Sequence, residues 1–216
     1  MNIAKISEEK AMENPDWGKT IYEDKQISNR EMVSQSRKLT SVLKNLGVGR
    51  GDRVIIQTPN CPEVFWAFSA AWRLGAVIVP INYMIGEAET AYIYRDSGAN
   101  VLISSKAFVP KIRAARAQAD NIKTLILTDD DAPEDALSYR KLVADAPEET
   151  FIADTNPDDM AALIYTAGTT GKPKGVIHTH GSLYANALMQ HQTYPPTDGL
   201  TYVSILPLCH SYGIAS

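Results

Sequence analysis

The sequence predicts an α/β fold in which mainly parallel strands are flanked by helices. Three observations predict it: short apolar runs recur along the chain, amphipathic stretches of ten or more residues separate them, and glycine or proline stands at most junctions. Such alternation builds strand–helix–strand units. Parallel strands carry helices on both faces, so they read as continuous apolar runs.

The first predicted helix starts at Ser28. Ser28-Asn29-Arg30-Glu31 has the form of a capping box, in which the serine caps the helix start and the glutamate reaches back. Val33, Leu39, Val42, Leu43 and Leu46 then share one helical face, and Gly47 supplies the stop. Val54-Ile55-Ile56 is the first strand. Pro62 suits the first turn of a helix running to Leu74 and ending at Gly75, and Ala76 to Pro80 is the next strand. A helix over Glu87 to Asp96, stopped by Gly98, leads into Val101-Leu102-Ile103. A helix over Phe108 to Ala119 leads into the strand Thr124 to Leu127.

From Asp129 to Pro147 the character changes: Asp129-Asp130-Asp131, Glu134 and Asp135 mark an acidic, solvated loop. The alternation resumes after Asp158, with a strand over Ala161 to Tyr165, a loop rich in glycine and lysine, and Val176-Ile177 as a returning strand. A helix over Ser182 to Gln192 and a strand over Tyr202 to Leu206 follow. That last strand has no helix after it, so its apolar edge is expected to favour self-association.

Bulk properties narrow the function. At 216 residues the chain can bury roughly 70% of the surface its unfolded form exposes, so it needs no disulfide or metal to fold. Its 21 basic and 25 acidic side chains lack the basic excess of a nucleic-acid-binding face. Cys61 and Cys209 read as buried or free thiols of a reducing compartment. The first residues form no secretory signal. The most apolar stretch, Pro62 to Ile81, contains Glu63, Arg73 and Gly75, so it reads as helix and strand and not as a membrane span. A soluble, cytoplasmic protein is expected. Trp66, Phe68, Trp72 and Cys61 belong to its core. His178, His180, His191, Cys209 and His210 raise the question of zinc, but they lack recurring ligand spacing, and histidines at the surface or at a helix start are expected instead.

The chemistry lies in Tyr165-Thr166-Ala167-Gly168-Thr169-Thr170-Gly171-Lys172-Pro173-Lys174-Gly175-Val176. The glycines let backbone N–H groups converge on an anion. The hydroxyls of Thr166, Thr169 and Thr170 add donors, and Lys172 and Lys174 add positive charge. A polyphosphate is the ligand that such a density of donors suits. The motif is not a Walker-type loop: two residues, not four, separate Gly168 from Gly171, and proline follows the lysine where Ser or Thr is required.

The segment resembles the phosphate-binding signature of the adenylate-forming superfamily, which includes acyl-CoA synthetases, aryl-CoA ligases, beetle luciferases and peptide-synthetase adenylation domains. Eleven of its twelve positions match the usual loop, and Ala167 replaces a serine. Losing that hydroxyl costs about 0.5–1.5 kcal/mol, which weakens ATP use without abolishing it. Gly51-Asp52-Arg53-Val54, Pro59-Asn60-Cys61-Pro62-Glu63, Arg73-Leu74-Gly75-Ala76, Val79-Pro80-Ile81-Asn82 and Leu206-Pro207-Leu208-Cys209-His210-Ser211-Tyr212-Gly213 resemble further family segments in the family's order.

The resemblance implies roles. Thr166, Gly168, Thr169, Thr170, Gly171, Lys172 and Lys174 would hold the β- and γ-phosphates of ATP. Thr166 would neighbour Mg²⁺ through a phosphate. His210 would lie near the carboxylate being activated, with Tyr212 and Gly213 in the pocket wall. It further implies that residues 1–216 are the amino-terminal part of the large AMP-binding domain. The adenine and ribose contacts, the rest of that domain and a mobile carboxy-terminal domain would lie beyond it, so the chain alone is expected to show little or no turnover. The expected reaction joins a carboxylic acid, most simply a fatty acid, to CoA through an acyl-AMP. Loading of a carrier protein and a non-catalytic, nucleotide-binding remnant are the alternatives.

Overall fold

Each apolar run between residues 53 and 127 becomes a strand of one sheet in the computed structural model, which describes residues 1–16, 20–167, 171–193 and 203–209. In chain order the first elements are α1 (Ile3–Glu13), β1 (Thr20–Tyr22), β2 (Lys25–Ile27) and α2 (Asn29–Asn45). Next come β3 (Arg53–Gln57), α3 (Pro62–Arg73), β4 (Val77–Pro80), α4 (Glu87–Ser97) and β5 (Val101–Ser104). After a 3-10 turn at Lys106–Phe108 follow α5 (Val109–Arg116), β6 (Thr124–Leu127), β7 (Leu137–Ser138) and α6 (Tyr139–Ala144). The described elements end with β8 (Met160–Thr166), β9 (Lys174–Thr179) and α7 (His180–Thr193).

The seven-stranded sheet has the order β7-β6-β5-β3-β4-β8-β9, and every neighbouring pair is parallel except β8 and β9. All four residues of β4 and of β5 are buried, as strands covered on both faces must be. Val54, Ile56, Ile78, Val101 and Ile103 face one apolar layer with α2 and α3, while Ile55, Val79, Leu102, Leu125 and Leu127 face the other with α4 and α5. Trp66, Phe68 and the half-buried Trp72 and Cys61 pack in the first layer, as expected. Both cysteines are free thiols. No helix of the described residues is long and apolar enough to cross a membrane.

The caps explain the helix boundaries. Ser28 Oγ accepts the Glu31 N–H at 3.2 Å, and Gly98 closes α4 in the left-handed region at φ 62°.

Several features differ from expectation. The acidic stretch after Asp129 is not all loop: it folds into β7 and α6, whose start is capped by Ser138 Oγ. The described part of the predicted last strand, Val203 to Leu206, forms no strand, and Val203 and Ile205 are 77% and 81% exposed. This segment pairs with no strand of the described residues and is held by the Asn60 side chain instead. Tyr202 lies outside the described residues. The edge of the sheet is β9, where Val176 and Ile177 are exposed. His180, expected at the surface or a helix start, does begin α7 but is fully buried.

Candidate functional site

The glycine- and lysine-rich segment is the turn between β8 and β9. These strands pair antiparallel, with Thr166 opposite Lys174 and Tyr165 opposite Gly175. Because β8 runs parallel to β4, the turn emerges at the carboxyl edge of the sheet, where open α/β sheets bind ligands. The backbone of Gly171 is left-handed, at φ 84°, and open space surrounds its missing Cβ. Gly175 is the opposite case: a Cβ there would lie 2.8 Å from Leu163 Cδ1 and 3.4 Å from Tyr165 Cζ. The added Cβ would press on the Leu163 side chain, whereas its distance from the Tyr165 ring is an ordinary contact.

Thr166, Gly171, Lys172 and Lys174 are all exposed around this turn. Among the described residues, neither Lys172 nor Lys174 forms an ion pair. The Lys172 Nζ instead sits 6.0 Å from the centroid of the Tyr92 ring on α4. Tyr165 donates its hydroxyl to Asp96 Oδ2 at 2.6 Å, and burial together with that carboxylate pushes its pKa well up, so it stays a proton donor. Two uncompensated ammonium groups, a hydroxyl and a glycine turn fit a polyanion. Gly168, Thr169, Thr170 and His210 lie outside the described residues, as do Tyr212 and Gly213.

The segment leading to His210 has its own anchor, which sequence reasoning missed. Asn60 lies just after β3, at the same carboxyl edge. Its Nδ2 donates to the Leu206 carbonyl at 2.8 Å, and its Oδ1 accepts the Leu208 N–H at 2.9 Å. An asparagine amide thus takes the place of a strand rung, and Leu208 is buried in the core beside it. In sequence, Asn60 showed only as part of a helix-start motif. No local signal links it to a segment 146 residues away.

A cleft of about 740 Å³ lies elsewhere, between the β1–β2 hairpin, α3 and α6. Trp66 and Tyr139 form part of its wall, and none of the phosphate-loop residues does.

Comparison with known proteins matches this architecture. The family model described as "AMP-binding enzyme" matches residues 7–216. The chain is 33% identical to 4-coumarate–CoA ligase 1 of Petroselinum crispum, over 99% of its own length and 38% of that protein's. It is 38% identical to the long-chain-fatty-acid–CoA ligase FadD13 of Mycobacterium tuberculosis, over 76% of its length and 32% of that protein's. The solved N-terminal domain of FACL13 from Mycobacterium tuberculosis superposes with a TM-score of 0.85 at 28% identity, covering all of this chain and 53% of that domain. The chain therefore spans about a third of the length of these curated relatives and corresponds to the amino-terminal portion of the fold. With a match running over nearly its whole length, the chain belongs to the AMP-binding enzyme family.

Proposed function

We propose that this chain is the phosphate-gripping part of a ligase that activates a carboxylic acid with ATP and transfers it to CoA. One observation carries the reading: two exposed lysines, without an ion pair among the described residues, and a glycine turn project from paired strands at the carboxyl edge of the sheet. In the proposed reaction the carboxylate oxygen attacks the α-phosphorus of ATP and pyrophosphate departs. The CoA thiolate then attacks the acyl carbon and AMP departs.

Lys172, Lys174 and Thr166, with Gly168, Thr169, Thr170 and Gly171, hold the β- and γ-phosphates and stabilise the charge that leaves as pyrophosphate. Thr166 would stand beside the phosphates that hold Mg²⁺, and the ion when bound would supply further charge neutralisation. His210 is assigned to the carboxylate being activated, and Asn60 holds Leu206 and Leu208, shortly before it in the chain. The substrate we propose is a fatty acid, in line with the FadD13 relative. The 4-coumarate–CoA ligase relative favours an aromatic acid as the second reading. The compartment that this reading implies is the cytoplasm, where ATP and CoA are supplied. By this reading residues 1–216 alone show little or no turnover, since they span only about a third of the length of the curated relatives.

Replacing Lys172 and Lys174 together by alanine is expected to weaken MgATP binding by at least about tenfold in calorimetric titration, since each charged hydrogen bond is worth about 1.5–3 kcal/mol. Both side chains are exposed, so the circular dichroism spectrum should not change. Undiminished binding by the double variant would remove the basis for this reading.

A further inference from the structure

We infer that Asp96 is a positioning residue for the phosphate loop, acting through Tyr165 at the root of the loop and Tyr92 beneath Lys172. The inference rests on the reading of that loop as a polyphosphate site and names what holds it in shape.

Asp96 stands in the last turn of α4, the negative end of the helix dipole, where a carboxylate is disfavoured. Among the described residues no cation pairs with it. Its two oxygens instead take two phenols: Oδ2 accepts from Tyr165 at 2.6 Å, and Oδ1 accepts from Tyr92 at 3.3 Å. Asp96 is exposed, and its bond to Tyr92 is an i,i+4 contact within α4, so the tie that reaches beyond the helix is the one to Tyr165.

Tyr165 is the last residue but one of β8, and it pairs across the strands with Gly175, the second residue of β9. Fixing the Tyr165 hydroxyl fixes the β8–β9 rung from which the loop springs. On the returning side, the Tyr92 ring lies under the Lys172 ammonium, a contact that an exposed cation finds weakly attractive. A single carboxylate on α4 thus references the described residues on both sides of the loop. A binding loop held near its bound shape loses less conformational freedom when the ligand arrives.

Asp96 is also a negative charge near a polyanion site, so charge and positioning predict opposite results when it is removed. The test is calorimetric titration of tripolyphosphate into the unaltered chain and into Asp96→Ala, Asp96→Asn and Tyr165→Phe, each checked for an unchanged thermal unfolding midpoint. Positioning predicts that Asp96→Ala and Tyr165→Phe bind about five- to twentyfold more weakly. It also predicts that Asp96→Asn, which keeps an oxygen to accept the Tyr165 hydroxyl, returns to within about twofold of the unaltered chain or better. If Asp96→Ala does not fold, Tyr165→Phe, which keeps the ring and loses only the hydroxyl, carries the test. Equal or tighter binding by both Asp96→Ala and Tyr165→Phe overturns the inference and leaves the phosphate site standing. Failure of the unaltered chain to bind tripolyphosphate overturns the phosphate site and the inference together.

Discussion

Replacing Glu8 by glutamine is expected to destabilise the chain by about 3–5 kcal/mol, read as a fall in the urea midpoint with little change in slope. Glu8 lies on α1, and its carboxylate joins two arginines. Its Oε1 accepts from Arg37 at 2.5 Å, and its Oε2 pairs with Arg73, whose side chain on α3 is completely buried. Burial holds the Arg73 pKa below its ordinary value, and the adjacent Arg37 charge pushes in the same direction, while Glu8 opposes both. Glutamine keeps the shape and removes the charge, leaving two neighbouring guanidinium groups with one donating to the Glu149 carbonyl and no carboxylate between them. That is the costly way to break a buried pair. Changing Glu8 and Arg73 together to methionine should cost less than half as much, because no buried charge is then orphaned. A Glu8→Gln variant within about 1 kcal/mol of the unaltered chain would show that α1 is not locked by charge.

Acid should loosen the same region through His180. The imidazole is fully buried at the start of α7, and its Nδ1 accepts the Ile3 N–H at 3.3 Å, which only a neutral ring can do. Burial lowers its pKa to about 4 from 6.5, with the nearby Asp159 carboxylate opposing the shift and the terminal ammonium adding to it. Between these two values the unfolded chain takes up a proton that the folded chain refuses. Stability from this group is therefore complete above pH 6.5 and is lost as the pH falls towards 4, by on the order of 3 kcal/mol in all. An asparagine at this position offers an acceptor oxygen and does not titrate, so His180→Asn should flatten the dependence of unfolding free energy on pH across that window. An unchanged slope in the variant would assign the acid sensitivity to other groups. Both residues matter beyond stability, since α1 braces α7, and α7 continues directly from β9, the strand that closes the phosphate loop.

The central sheet was legible in the sequence because its strands are buried on both faces and its helices carry strong end signals, as at Ser28, Pro62 and Gly98. The β1–β2 hairpin was not. Its strands are three residues long, and its turn places Glu23 and Asp24 at φ 47° and 63°, a conformation usually announced by glycine or asparagine. Helix α1 was missed because tertiary partners hold it more than an apolar stripe does: Asn2 Nδ2 donates to the Trp72 and Ala153 carbonyls, and Glu8 meets two arginines. The apolar run ending at Leu206 misled in the other direction, since an apolar run does not say whether any strand pairs with it. In the candidate site, the loop announced itself through a contiguous motif. Asn60 and Asp96 act on segments distant in the chain, Asp96 on a tyrosine 69 residues away, and so gave no local pattern.

Competition among phosphates tests the central claim most directly: titrate the chain with MgATP, tripolyphosphate and AMP, and let each displace the others. A loop that grips the β- and γ-phosphates predicts that MgATP and tripolyphosphate compete for one site and that AMP binds at least about tenfold more weakly, having neither phosphate. AMP binding as tightly as MgATP, with tripolyphosphate failing to displace either, would contradict the account.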